Sequence, residues 1–239
     1  MSFECVSRTH VGLRRKINED SLFTDPARGL WVVADGMGGH DAGEIASTMV
    51  TDALRCLPPF QDTDELAAAA VEVLHKVNRE LVDLAGSDEQ GKRRTIGTTV
   101  VGLGIGNGSF CCFWAGDSRA YRLRGGAIKR ISRDHSLVQN LVDAGMLRPE
   151  EAETHEDANL ITRAVGVGEK FDVDIVRGEV ERGDQFVLAS DGLTRVVNDD
   201  ELAAELSQGP LDQGADRLID TVLSRGAPDN VSLIIVKVL

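Results

Sequence analysis

The sequence predicts an α+β fold, a four-layer α-β-β-α sandwich in which two mainly antiparallel sheets are stacked and flanked by helix pairs. Three features carry that expectation. β-rich runs bounded by glycine, aspartate or asparagine follow one another with hairpin-like turns between them. Several of these runs, "WVVA" and "FVLA" among them, are apolar on both faces, so another layer must cover each side. Apolar residues also recur at helical spacing in two long segments and two shorter ones.

In chain order, the first helix carries Ala42, Ile45, Ala46, Met49, Val50, Ala53, Leu54 and Leu57 on one face. Pro58 and Pro59 end it. A second helix opens near Thr63 and Asp64, a natural cap, with Leu66, Ala70, Leu74, Val77, Leu81 and Leu84 on one face. The stretch "SDEQGKRR", residues 87–94, reads as a surface loop. The strand runs are "GLWVVA", "TTVVGLGI", "SFCCFWA", "RAYRLR", "AIKRIS", "DVDIVRGEV", "DQFVLAS" and "NVSLIIVKV", with a short "SLFT" near the start. "IGNGS" and "RGGA" are the hairpin turns. Two late helices are expected over Asp199–Leu206 and Leu211–Ser224. There is no internal repeat, low-complexity tract or obvious linker.

Composition narrows the partners. The 239 residues are 42% hydrophobic and 27% charged, an ordinary globular balance. A net charge of −13 argues against nucleic acid and anionic membrane, since both need a basic face. No apolar run is long enough to span a bilayer, and the N-terminus lacks the apolar core of a signal peptide, so a cytoplasmic location is expected. Cys5, Cys56, Cys111 and Cys112 form no CxxC pair and no metal-ligand spacing, and are expected to be reduced and structural.

Acids recur in one kind of place. Asp35 ends "LWVVA", Asp117 follows "SFCCFWAG", Asp191 follows "DQFVLAS", and Asp229 stands just before "NVSLIIVKV". The pair Glu19 and Asp20 precedes "SLFT". Any one of them is explained by the turn preference of Asp and Gly. Four strand ends with the same pattern are harder to explain that way, and turn chemistry does not account for "GMGGHDAGE". The functional reading is a shared site for hard cations. Two carboxylates about 4 Å apart repel by roughly 4 kcal/mol at an effective dielectric of 20, so several can converge only with cations between them. Oxygen ligands select magnesium or manganese, and these ligands are too dispersed for a calcium loop. His155 and Glu156 do not complete HExxH, because Asn159 stands where the second histidine is needed. Two such ions can hold a bridging hydroxide and bind the oxygens of a phosphoryl group. A local cation field then overrides the acidity of the whole chain.

At these residues the sequence resembles a family. "RKINEDS" (15–21), "ADGMGGHDAGE" (34–44), "GTT" (97–99), "GDSRAY" (116–121), "SDGL" (190–193) and "PDNVSLI" (228–234) occur in the order found in metal-dependent serine/threonine phosphatases of type 2C. The similarity is greatest to short bacterial members, and covers residues 7–238. It implies a single catalytic domain over residues 1–239 that dephosphorylates phosphoserine and phosphothreonine by direct attack of a metal-bridging hydroxide, opposing a eukaryotic-like kinase. By the same resemblance, Asp35 bridges two Mn2+ or Mg2+ ions, the Gly36 carbonyl binds one, and Asp191 and Asp229 hold the other. Asp117, with Asp191, would take a weaker third ion. Glu19 would anchor metal-bound water, Asp20 would support the site, and Arg15 would grip the substrate phosphate. Arginine suits that role because its fork matches two phosphate oxygens. The plain alternative for Arg15 is one basic residue among "RRK". Gly36 would let its backbone approach the ion, while Gly38, Gly39 and Gly43 let the chain turn into the next helix.

One position departs from many eukaryotic members, where a histidine after "DG" is the proposed general acid. Here it is Met37, which has no proton to give, so metal-bound water or another residue such as His40 must serve. Residues 136–168 match the flap that bacterial members place beside the active site, although a simple surface insertion reads the same way. As a flap, its acids between Glu150 and Asp157 would help choose phosphopeptides. The expected partners are phosphorylated Ser/Thr proteins, including a cognate kinase, and the chain is expected to be a monomer. Nucleotide binding fails on glycine spacing, and there is no Walker lysine or GxSxG elbow. A phosphoprotein-binding module without activity, or a hydrolase of another phosphate ester, is the alternative.

Overall fold

A computed structural model describes residues 1–38, 42–86 and 95–239. One sheet runs β1 (Phe3–His10), β11 (Val231–Val238), β10 (Gln185–Ala189), β7 (Arg119–Arg124) and β8 (Ala127–Arg130). The other runs β2 (Asp20–Asp25), β3 (Leu30–Gly38), β5 (Val100–Gly106), β6 (Ser109–Ala115) and β9 (Asp174–Glu179), with β4 (Ile96–Thr98) beside the end of β3. Every pairing is antiparallel. Helices α1 (Ala42–Arg55) and α2 (Thr63–Ala85) cover the second sheet, and α5 (Asp199–Leu206) and α6 (Leu211–Ser224) cover the first.

The apolar-on-both-faces strands account for the layering. In β3, Leu30, Val32 and Ala34 pack under α1 and α2, while Trp31 and Val33 point to the sheet–sheet interior. In β10, Val187 and Ala189 face α5 and α6, while Phe186 and Leu188 face inward. In β11, Leu233 and Ile235 face the helices, and Ile234 and Val236 the interior. Alternation along each strand thus serves two cores at once, as the period of two requires. The β5–β6 turn has Asn107 at φ 51° and Gly108 at φ 78°, the pair of positive φ values that a tight hairpin needs.

Several details differ from the sequence expectations. β1 has only Val6 buried in eight residues, so "FECVSRTH" shows little of the apolar signal of a strand, yet it pairs along its whole length with β11. Asp35 does not end its strand: β3 runs on to Gly38, because Gly36 pairs with Thr98 and Met37 with Gly97. The cap of α2 is Asp62, whose carboxylate accepts from the N–H groups of Asp64 and Glu65. Ile45 and Leu84 are exposed rather than on the buried helix face. All four cysteines are free. Burial pushes the Cys111 and Cys112 thiols up, as fits core residues, whereas Cys56 is exposed at the end of α1. Residues 87–94 lie outside the described residues.

Residues 136–168 divide into α3 (Leu137–Asp143), a 3-10 turn over Pro149–Thr154 and a return strand-like segment. A bridge from Ser136 to Ile161 closes the segment on itself, and one from Thr98 to Val165 ties its returning end to β4, with Val165 fully buried. No helix among the described residues is long and apolar enough to cross a membrane.

Leu218 is fully buried in the core between α5, α6 and the first sheet. Leu218→Ala should cost about 2–5 kcal/mol. A lowered urea midpoint with little change in slope would report it.

Candidate active site

Register places the acids. In the first sheet, Ala189 pairs with Arg119 and Leu233, and Val231 pairs with His10, so the ends of β1, β7, β10 and β11 share one edge. In the second sheet, Asp20 pairs with Asp35 and Val100 with Ala115, which puts the matching ends of β2, β3, β5 and β6 together. Asp117 lies on the connection from β6 to β7. Asp191 opens the short helix α4 (Asp191–Thr194) after β10, and Asp229 precedes β11. Residues far apart in the chain therefore meet at one rim of the sandwich. A cavity of about 350 Å³ there is lined by Glu19, Asp35, Gly36, Asp117, Asp191 and Asp229, with Arg15, Met37 and Arg195. Asp20 is not in that lining; it lies behind it.

The backbone around Asp35 is tightly held. Its N–H donates to Thr99 Oγ1 at 3.2 Å, and its carbonyl accepts from Thr99 N at 2.8 Å and Thr98 Oγ1 at 2.9 Å. That is the local work of "GTT". Thr99 Oγ1 also lies 2.7 Å from Ser118 Oγ, which ties the same triplet to the Asp117 turn. Gly36 donates to the Glu19 carbonyl at 3.1 Å. A Cβ on Gly36 would overlap the carbonyl oxygens of Gly43 and Glu19, so only glycine lets β3, α1 and the Glu19 segment meet.

Asn230 holds the opposite wall. Its amide nitrogen donates to the Val11 carbonyl at 2.9 Å and the Ile17 carbonyl at 3.0 Å, and its oxygen accepts from Glu19 N at 2.8 Å. It fixes the loop that carries Arg15 and Glu19. The sequence reading quoted "PDN" without giving Asn230 a role.

Acids from both sheets are crowded together here. Asp35 is held well above the usual carboxylate range, first by burial and then by the charges of Asp20, Asp191, Asp117 and Asp229. Burial raises Asp20 to about 6, with Asp229 adding to it, while hydrogen bonds from Ser232 and Ser190 oppose it. Ser190 Oγ donates to Asp20 Oδ2 at 2.9 Å. Burial also raises Asp117 to about 6, and Asp191 reinforces the shift. Asp191 is raised by burial, with Arg195 pulling the other way.

Among the described residues, no three of these acids form a finished metal cage; arginines lie against them instead. Arg15 donates from Nη2 to Asp229 Oδ2 at 2.7 Å. Arg195 reaches both Asp191 and Asp117. The donor set nonetheless fits hard divalent ions. Every side-chain donor is a carboxylate oxygen, the acids disfavour one another's ionisation, and the buried Asp20 Oδ1 and Asp117 Oδ1 have no hydrogen-bond partner. Arg195 escaped the sequence reading. Its signal was an arginine four residues after Asp191 on a helix, the spacing at which an ion pair forms. Met37 lines the cavity, and no histidine does so among the described residues. His40, with Gly39, lies outside them.

Stacked antiparallel sheets between helix pairs, with an all-oxygen acid cluster at one rim, define the metal-dependent phosphatase class of sandwich. A family model described as protein phosphatase 2C matches residues 10–227. The chain belongs to the protein phosphatase 2C family. It is 35% identical over 233 residues to the serine/threonine protein phosphatase PstP of Mycobacterium tuberculosis, which covers 98% of this chain. The chain spans 44% of the length of that relative. A solved structure of PppA, described as a key regulatory component of T6SS in Pseudomonas aeruginosa, superposes with a TM-score of 0.91 at 40% identity, covering 100% of this chain and 99% of that one. The catalytic domain of PstP in complex with two manganese ions superposes with a TM-score of 0.87 at 33% identity, covering 99% and 98%.

The raised carboxyls set a stability trend. Asp20 and Asp117 move from an ordinary 3.8 to about 6 in the folded chain, so between those values the folded state holds protons that the unfolded state has released. The stability tied to those protons is full below about 3.8 and is lost as pH rises through about 6. With divalent ions chelated, Asp35→Asn should therefore melt several degrees higher than the unaltered chain at pH 7.5. The gap should narrow as pH falls and the acids take up protons. Melting curves in chelator across pH 4 to 8 check it.

Proposed function

We propose that the chain is a metal-dependent phosphoprotein phosphatase, acting on phosphoserine and phosphothreonine with two divalent ions, manganese or magnesium. The observation that carries this is the convergence of Glu19, Asp35, Asp117, Asp191 and Asp229, with Arg15, on one cavity. The two manganese ions in the PstP catalytic domain support it for a relative of the same fold. Asp35 and the Gly36 carbonyl would hold the ions together with Asp191 and Asp229. Glu19 and Asp20 would steady the ions' water. Bound there, divalent ions supply Lewis acidity toward phosphoryl oxygens and acidify a water nucleophile.

The chain's own residues do the remainder. Asp35 is fixed through its backbone, so its carboxylate presents to the cavity without reorganisation. Arg15 sits on a loop with its side chain 50% exposed and a single carboxylate partner. It can exchange Asp229 for a phosphate oxygen pair as substrate enters. Met37 offers no proton, so the leaving oxygen takes its proton from water. A third ion at Asp117 and Asp191 would have to compete with Arg195.

Residues 136–168 act in this reading as a flap. Asn159 and Ile161 line the cavity, with Glu150 and Glu151 in the preceding 3-10 turn and Glu156 and Asp157 just after it. Substrates are phosphorylated Ser/Thr proteins, with a eukaryotic-like kinase as the opposing activity, and the enzyme works as a cytoplasmic monomer.

Phosphopeptides assayed beside small phosphate esters, with and without manganese, test the reading. Hydrolysis should fall to background in chelator. Asp191→Asn should lose roughly 10³-fold or more in kcat/KM. Near-normal turnover by that variant at saturating manganese would contradict the assignment. Arg15→Ala should raise KM by roughly 10- to 100-fold, the worth of one charge-assisted hydrogen-bonded pair.

The returning end of the 136–168 segment is bridged to β4 and buries Val165, so its role is better tested by charge than by deletion. Replacing Glu150, Glu151, Glu156 and Asp157 with their amides should reorder phosphopeptide preference and leave small aryl phosphate hydrolysis nearly intact. Equal losses on both substrates would count against a role in selection.

A further inference from the structure

Arg195 immediately follows α4, one helical turn after Asp191. Its Nε lies 3.0 Å from Asp191 Oδ2, and its Nη2 donates to Asp117 Oδ2 at 2.9 Å. The same Nη2 lies 3.4 Å from the Ala158 carbonyl in the 136–168 segment. A second cavity, of about 410 Å³, lies under that segment and shares Asp117, Asp191 and Arg195 with the acid-lined one. The guanidinium and the two acids it holds thus border both cavities.

We infer that Arg195 takes the place of a third divalent ion in this chain, its guanidinium holding the Asp117–Asp191 pair so that the site binds two ions. The inference rests on the two-ion reading above and departs from the third ion that the family resemblance implies.

Three observations support it. An ion shared by Asp117 and Asp191 needs an oxygen from each, and one oxygen of each already faces the arginine fork. What remains is Asp117 Oδ1, without a hydrogen-bond partner, and Asp191 Oδ1, which the two-ion reading already commits, so a third ion beside the fixed cation would have a poor donor set. A guanidinium also cannot shed its proton at any ordinary pH, so it repels an incoming cation throughout the working range. Finally, Arg195 is held where Arg15 is free. Its side chain is 28% exposed against 50%, it bridges two acids rather than one, and its spacing from Asp191 is set by helix geometry. Arg15 can leave its carboxylate for a ligand, whereas Arg195 would have to break contacts with both acids at once.

The test counts ions rather than turnover. The full chain is stripped with chelator, and bound manganese is counted by titration calorimetry and by the electron paramagnetic resonance signal of free Mn2+. The unaltered chain should bind two ions. Arg195→Ala should gain a third, with affinity there raised by about tenfold or more. Arg195→Lys, which keeps the charge, should stay at two. If Arg195→Ala does not keep a native melting transition, Arg195→Gln replaces it. A third ion in the unaltered chain, or only two in the folded Ala or Gln variant, overturns the inference and leaves the two-ion reading standing. No bound manganese in the unaltered chain defeats both.

Discussion

Carboxylates that are held on rigid strand ends cannot move apart, and that constraint governs the rim of this sandwich. Asp20 and Asp35 are cross-strand partners, and Asp117, Asp191 and Asp229 arrive from other connections to the same place. At about 4 Å each pair would repel by roughly 4 kcal/mol at an effective dielectric of 20. The chain meets this repulsion in two ways. Some acids hold their protons more tightly, as the upward shifts of Asp20, Asp35, Asp117 and Asp191 record. Cations also lie against them: Arg15 on Asp229, and Arg195 on both Asp117 and Asp191.

Stability and function pull against each other at this rim. The repulsion is tolerated because the rest of the fold is overdetermined. Three apolar layers run through the molecule, one between the sheets and one under each helix pair. Short polar devices then fix the individual acids: Thr98 and Thr99 on the backbone of Asp35, Ser190 on Asp20, and Asn230 on the loop that carries Arg15 and Glu19. These contacts place the charges without neutralising them, which leaves the cavity attractive to cations.

The two arginines at the rim divide the labour. A chain with net charge −13 is a poor receptor for phosphate in its average field, so anion binding depends on local cations. Arg15 is the more exposed one, on a loop, lining the cavity and paired with Asp229 alone. Arg195 is the fixed one, on a helical turn and wedged between two acids and the carbonyl of Ala158. Its position links the acid cluster to the segment that borders the second cavity.

Local pattern was enough for much of the molecule. The helices Asp199–Leu206 and Leu211–Ser224 fall where apolar spacing put them, and the layered architecture follows from strands apolar at every position. The site acids were also legible, because each stands beside glycine, serine or asparagine at the end of an apolar run. β1 was not, since an edge strand with one buried residue carries almost no period-two signal. Nor were the exposed positions of Ile45 and Leu84, which depend on where the neighbouring layer stops. Asn230 acquires meaning from Val11, 219 positions away, and Arg195's local pairing with Asp191 becomes a bridge only through Asp117, 78 positions away. Sequence by itself determined which segments carry an apolar repeat and which acids stand beside them, because both are set by neighbours within a few residues. Tertiary structure alone decided which charges face one another, because that depends on strand register between distant segments, and a carboxylate's chemistry depends on what lies within a few ångströms of it.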